Sequence, residues 1–190
     1  MRKIIYSMQM SLDGYIEDAS GSIGFTNPDR ELHEYFNALE AQSDTHIYGR
    51  RLYKIMNDFW PTAADNPDAA SEIIAYAQIW NALDKVVFSR TLKSVEGRAR
   101  LAETDVATEV AKLKKAPGKN IIVGGATLAQ SFIELDLIDE FQVIVYPTLL
   151  GSGKPMFRTI ANKVDLNLVE SRSFTSGVVS LIYRPTNRDR

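Results

Sequence analysis

The stretch Ile121-Ile122-Val123-Gly124-Gly125-Ala126-Thr127-Leu128-Ala129 changes character halfway along. Its first three residues are β-branched and apolar, the composition of a buried strand. Two glycines follow, which let a backbone turn tightly and approach a ligand closely. Beyond them Thr127 and Gln130 have capping-box spacing, and Ala129, Phe132 and Ile133 fall inward as on a helix. A strand that feeds a helix through such a turn is the opening half of a crossover unit. Crossover units build parallel sheets.

Similar units lie upstream. His46-Ile47-Tyr48 is a short strand ended by Gly49, and Lys85-Val86-Val87-Phe88 is another, followed by Ser89. Ile4–Met10 reads as the first strand. Phe141–Leu150 reads as a longer one that contains Pro147, so it is bulged there or close to an edge. Leu166–Phe174 and Val178–Tyr183, joined around Ser176-Gly177, form a C-terminal hairpin. Asn27-Pro28 opens a helix that runs to about Ala41, because Asn caps and Pro suits the first helical position. Asp68–Leu83 and Asp105–Lys115 also carry apolar residues at helical spacing. Thr62–Asn66 is the expected mobile loop and Thr186–Arg190 the expected frayed tail. The architecture expected is α/β: a mixed, mostly parallel sheet flanked by helices, with an antiparallel C-terminal hairpin.

Composition narrows the chemistry. A length of 190 residues suits a single domain over the whole chain. The formal charge of −2 offers no basic footprint for nucleic acid. The chain has no Cys, which removes disulfides, thiolate catalysis, Cys-ligated zinc and iron–sulfur ligation. His33 and His46 are the only histidines and lie in no H-E-x-x-H frame, so no metal is expected. No apolar run approaches the ~20 residues that cross a bilayer. The start lacks the apolar core of a secretory signal. The expectation is a cytoplasmic protein with a small-molecule substrate and neither nucleic acid nor membrane as partner.

Three segments each follow a strand: Gly49-Arg50-Arg51, Ser89-Arg90-Thr91 and Gly124-Gly125-Ala126-Thr127. In a parallel sheet the carboxyl ends of the strands share one rim, where ligands bind. The arginines can clamp phosphate. The helix opening at Ala126-Thr127 offers unpaired N–H groups to a pyrophosphate. Read singly, the glycine pair is equally a tight turn and the arginines a solvated loop. Together they fit a phosphorylated dinucleotide, and arginines near the ribose favour NADP over NAD. No Walker or G-x-G-x-x-G pattern is present. Asp13, in Ser11-Leu12-Asp13-Gly14, falls beside the same rim, although Asp-Gly is also an ordinary turn pair. Glu31 and Glu34 are candidate proton-handling groups, although most exposed helix carboxylates only solubilise. Tyr76 and Trp80, at helical spacing, read as core.

The run Ile121–Ala129, then Leu137-Ile138-Asp139-Glu140, then Tyr146-Pro147-Thr148-Leu149-Leu150-Gly151-Ser152-Gly153, resembles the C-terminal reductase domain of riboflavin-biosynthesis deaminase–reductases. That domain has the dihydrofolate reductase-like fold. The likeness extends to Ser11-Leu12-Asp13-Gly14 and to Gly49-Arg50-Arg51-Leu52-Tyr53. The resemblance implies a three-layer fold with an eight-stranded mixed sheet, NADP(H) as cofactor, and often a homodimer. It implies that Gly49, Arg50 and Arg51 meet the cofactor phosphates. Ser89 and Arg90 would lie by the adenosine, and Gly124, Gly125, Ala126, Thr127 and Leu128 would form the pyrophosphate cradle. Asp13 would face the substrate.

Two positions depart from the family. Riboflavin reductases usually carry Glu just before the glycine pair, where this chain has Val123. Dihydrofolate reductases place an acid early in the first helix, where Leu32 stands here with Glu31 one residue away. The H-x-E and P-C-x-x-C of a zinc deaminase are missing. The function expected is an NADPH-dependent reductase of a small conjugated heterocycle, with Asp13, Glu31 or water as proton source. The alternatives are a nucleotide-binding module without turnover and, more weakly, a flavin- or pterin-binding reductase with another donor.

Overall fold

A computed structural model describes residues 1–186. In chain order the elements are β1 (Ile4–Ser11), β2 (Tyr15–Asp18), α1 (Arg30–Glu40), β3 (Ser43–Gly49), α2 (Arg50–Asn57), a 3-10 helix (Trp60–Asp65) and α3 (Ser71–Ala82). Then follow β4 (Asp84–Phe88), β5 (Ala99–Leu101), α4 (Val106–Lys115), β6 (Asn120–Gly124), α5 (Ala126–Glu134), β7 (Glu140–Tyr146), β8 (Gly153–Pro155), β9 (Leu166–Ser173) and β10 (Val179–Pro185). They divide into two compact units. One takes Met1–Arg2 and Pro28–Gly125, and the other takes Lys3–Asn27 and the chain from Ala126 onward. Each unit is therefore made of two separate stretches of sequence.

In the first unit β5, β4, β3 and β6 lie side by side, all parallel. Their inner residues Ile47, Val86, Val87, Ile121 and Val123 are almost fully buried, as continuous apolar strands of a parallel sheet should be. Tyr48, Tyr53, Tyr76, Trp80 and Val87 form one aromatic cluster, so Tyr76 and Trp80 are core, as their spacing predicts. The 3-10 helix adds Trp60, whose ring lies 4.3 Å from that of Tyr76.

In the second unit β1 runs parallel to β7, and β7, β10 and β9 continue antiparallel. The C-terminal hairpin is thus present; the strands of this unit pair in both senses, and with the parallel pairs of the first unit the strand pairing is mixed but mostly parallel. β2 and β8 make a small antiparallel pair. No described helix is long and apolar enough to cross a membrane.

Several boundaries differ from the sequence expectation, each for a local reason. α1 is capped by Asp29, whose carboxylate accepts from the Leu32 N–H at 2.9 Å. Asn27-Pro28 therefore precedes the helix. β7 ends at Tyr146, because Pro147 has no N–H to continue a ladder that is paired on both sides. Arg50 and Arg51 begin α2 rather than lying in a loop, and most of Thr62–Asn66 is 3-10 helix. Thr127 lies within α5, and Gln130 bonds Glu134 and the Thr159 carbonyl, so no capping box forms. Thr186 donates to the Asp165 carbonyl at 2.9 Å. The rest of the expected frayed tail, 187–190, lies outside the described residues.

His46, inside β3, is fully buried. Its Nδ1 lies 2.5 Å from the Tyr48 hydroxyl, two residues on and on the same strand face. Its Nε2 lies 2.7 Å from Glu40 Oε2, but off-axis, so that this oxygen accepts no hydrogen bond.

Lys85 is also buried in this core. Its ammonium donates to the Trp80 and Leu83 carbonyls and sits 4.4 Å above the Trp80 ring. Burial is the main cause that lowers its pKa from 10.5 to about 8. Above that value the unfolded chain binds the extra proton, so stability should rise with pH. The window closes near 10, where the unfolded-state tyrosines ionise while burial keeps Tyr6, Tyr48 and Tyr76 neutral in the fold. Urea titrations between about pH 8 and 10 should show this rise in the wild type and its loss in Lys85→Met. Identical slopes in the two proteins would assign the effect to another group.

Candidate active site

Parallel register sets the rim of the first unit. Tyr48 pairs with Gly124, and Gly49 pairs with Phe88. The residues that follow these strands, Arg50, Ser89 and Gly125, therefore leave the sheet at one rim. Their meeting is direct: Arg50 Nη1 donates to Thr91 Oγ1 at 2.8 Å. Ser89 Oγ accepts from the Thr91 and Leu92 N–H groups at 3.1 and 2.9 Å, which closes the turn that presents Arg90. Arg50, Arg51 and Arg90 are all exposed. The N-cap of α2 is Gly49, with extended backbone and no capping side chain. The start of α2 thus has no side-chain cap, and the positive end of its dipole lies beside arginines.

The two glycines of the pair do different things. A Cβ on Gly124 would stand 2.7 Å from Tyr48 Cε1 and 2.8 Å from Leu52 Cδ2, so this glycine is required by packing. Gly125 has φ +93° and only Leu52 near its absent Cβ, at 3.7 Å, so it is required by conformation. α5 starts at the next residue, with Ala126 buried and Thr127 and Leu128 in its first turn.

In α1 the first-turn carboxylate Glu31 is exposed, whereas Leu32 is fully buried. His33 is buried too, edge-on to Trp60 and Tyr76 at 6.2 and 6.1 Å. Val123 is fully buried as well. Leu32 and Val123, the two positions expected to depart from the family, are therefore apolar core.

The second unit holds Asp13. Its carboxylate accepts from Ser11 Oγ at 2.6 Å, the Leu150 N–H at 3.1 Å and the Gly151 N–H at 2.7 Å. Ser11 Oγ in turn accepts from the Tyr15 N–H at 3.0 Å. The hydroxyl of Ser11, ahead of the two backbone donors, lowers the Asp13 pKa. Asp13 is therefore held as an ionised acceptor. It joins Ser11-Leu12-Asp13-Gly14 to Thr148-Leu149-Leu150-Gly151, and the Leu12 N–H adds a bond to the Thr148 carbonyl at 2.8 Å. Two motifs roughly 135 residues apart in the chain are one structural element.

The model of the RibD C-terminal domain matches residues 2–180. The chain belongs to that family. It is a reductase-like domain of the oxidoreductases that share this fold. The protein YyaP of Bacillus subtilis, uncharacterised, is 36% identical over 185 residues, 96% of this chain and 94% of YyaP. RibD of Acinetobacter baumannii aligns with a TM-score of 0.69 at 21% identity, over 98% of this chain and 58% of that one. Dihydrofolate reductase from Enterococcus faecalis, solved with NADP(H), aligns with a TM-score of 0.61 at 13% identity, over 97% and 96%. The fold is dihydrofolate reductase-like.

Sequence reasoning anticipated the convergence of Arg50, Ser89 and Gly124. It missed the role of Tyr48 as the surface on which Gly124 rests. The alternation of His46 and Tyr48 on one strand face was the signal available. It also missed the staple made by Asp13, for which no local pattern exists.

Two outcomes follow from this geometry. Gly124→Ala should destabilise the fold by about 1–3 kcal/mol through overpacking against the Tyr48 ring, measured by chemical denaturation; an unchanged midpoint would contradict it. In Asp13→Asn the amides of Leu150 and Gly151 should exchange with deuterium roughly tenfold faster, since local opening governs exchange. Protection equal to wild type would show that the staple is dispensable.

Proposed function

We propose that this chain is an NADPH-dependent reductase that transfers a hydride to a small conjugated heterocycle, pterin- or pyrimidine-like, and has no deaminase activity. The observation that carries the reading is the rim of the first unit, where Arg50 reaches Thr91 across two strand ends beside an uncapped helix start. Exposed guanidinium groups and a helix start without a side-chain cap suit a dinucleotide phosphate. The residues present therefore fit NADP(H).

In this reading Arg50 and Arg51 hold the 2′-phosphate and the first N–H groups of α2 face the phosphate chain. Ser89 and Arg90 lie by the adenosine. Gly124 and Gly125 keep side chains out of the turn, and Ala126, Thr127 and Leu128 offer the first N–H groups of α5 to the pyrophosphate. The bound cofactor supplies the hydride. Asp13 fixes the substrate-side loop as an ionised acceptor. Glu31 and water are the proton sources consistent with that state of Asp13. A homodimer in the cytoplasm belongs to the same proposal.

The second reading is a nucleotide-binding module without turnover. It is favoured by one observation: the burial of Leu32 and Val123 where relatives carry acids. Fluorescence titration with NADPH, followed by absorbance on adding pterins, pyrimidines and quinones, separates the two. Binding with no oxidation of the cofactor supports the module; absence of NADPH binding ends both.

Arg50→Ala and Arg51→Ala should each weaken NADPH roughly tenfold and NADH far less, because only NADPH carries the charge that these guanidinium groups would meet. Equal losses for the two dinucleotides would remove the 2′-phosphate role.

A further inference from the structure

The central strands of the second unit have two unlike faces. The register places Ser7 opposite Gln142, Gln9 opposite Ile144, and Ser11 opposite Tyr146. Ser180 of β10 also falls opposite Ile144. Residues paired across a sheet project from the same face. One face therefore carries Ser7, Gln9, Ser11, Glu140, Gln142, Tyr146 and Ser180 together with Ile5, Ile144 and Ile182, and the other carries Tyr6, Met8, Phe141, Val143 and Leu181.

The polar face is not simply a wet one. Gln142 is 4% exposed, Tyr146 4% and Ser180 1%. Polar groups at such depth are costly unless they are paired. Most are paired: Tyr146 Oη donates to Gln9 Oε1 at 2.8 Å, Gln142 Nε2 donates to Glu140 Oε1 at 3.2 Å, and Ser11 serves the Asp13 staple. Two amide groups are left over. Gln142 Oε1 is buried with no partner. The amino group of Gln9 has no acceptor among the described residues.

These two differ in access. Gln142 Oε1 is sealed, whereas Gln9 is only half-buried. Gln9 is also oriented, because its carbonyl oxygen accepts from a tyrosine that is itself buried and edge-on to Phe25 at 5.9 Å. The result is an oriented, half-exposed amide whose N–H groups have no acceptor among the described residues. It stands two residues before Ser11, where β1 meets the Asp13 loop. A donor that is ordered before the ligand arrives loses little entropy on binding.

We propose that Gln9 is a specificity-determining residue for the heterocycle, and that Tyr146 is its positioning residue. Gln9 Nε2 donates to a ring carbonyl oxygen of a flat lactam-type ligand, a pyrimidinone or pteridinone. A ring without that acceptor leaves the amino group unpaired and is rejected. The inference rests on the reductase reading only in that this heterocycle is the hydride acceptor. Its binding is read without turnover.

The probes are lumazine, a pteridine with ring carbonyls, and unsubstituted pteridine. Each is titrated calorimetrically against the full chain, with and without NADPH. The wild type should bind lumazine at least roughly tenfold more tightly than pteridine. Gln9→Leu, and the isosteric Gln9→Glu that has no donor, should each lose most of that preference while binding NADPH as the wild type does. Tyr146→Phe should lose part of it, because Gln9 is still present but no longer held. Where the wild type oxidises NADPH with lumazine, Tyr146→Phe should raise KM more than it lowers kcat, and a purely structural tyrosine would not split them so.

Equal affinity of the wild type for the two probes, or no binding of either, overturns the proposal. So does an unchanged preference in both Gln9 variants. Loss of NADPH binding in those variants would assign the face to the cofactor and overturn it too. A protein that prefers lumazine through Gln9 but never oxidises NADPH would refute the reductase reading and leave this inference standing.

Discussion

Parallel pairing of β3 with β4 on one side and β6 on the other is the constraint from which the first unit follows. Three neighbouring strands running the same way must release their chains at the same edge. Tyr48 opposite Gly124 and Gly49 opposite Phe88 place the rim residues within reach of one another, and the Arg50–Thr91 bond closes that distance. A one-residue slip would send Tyr48 to the other face. It would also remove the ring on which Gly124 rests. The glycine pair, the aromatic core and the cationic edge are thus consequences of one register.

The second unit uses a different device. There a single carboxylate, Asp13, gathers two backbone N–H groups and a hydroxyl, and so defines the loop between β1 and β2 together with the chain after β7. That arrangement keeps Asp13 charged, which suits an anchor better than a proton donor. Leu32 and Val123 are buried apolar residues of the first unit. In the second unit Gln9 and Tyr146 are bonded to each other on one sheet face.

Much of the architecture was legible because apolar strands and amphipathic helices write their periods locally. Ile4–Met10, Lys85–Phe88, Asn120–Val123 and the C-terminal hairpin needed no tertiary information. The failures share a cause. α2 begins with Arg50-Arg51, and polar residues at a helix start look like loop until the strand before it is known to end. Asp29 outcompeted Asn27 as the cap because capping is settled by which side chain reaches the N–H three residues on. Strand β7 stopped at Tyr146 because it is paired on both sides, a circumstance that the sequence does not contain.

By itself the sequence determined the class of fold, the absence of thiol chemistry and the three segments that share a rim. Each of those rests on composition, or on short-range order that a strand or helix imposes on its own residues. The tertiary structure alone decided which polar groups are spent and which are free. Asp13 and Ser89 look available in the chain and are occupied in the fold, by N–H groups that include two from roughly 135 residues away. Gln9 attracts no notice in the chain, yet keeps its donors. Hydrogen-bond partners are chosen by distance in space, and for groups so far apart in sequence only the folded register supplies that distance.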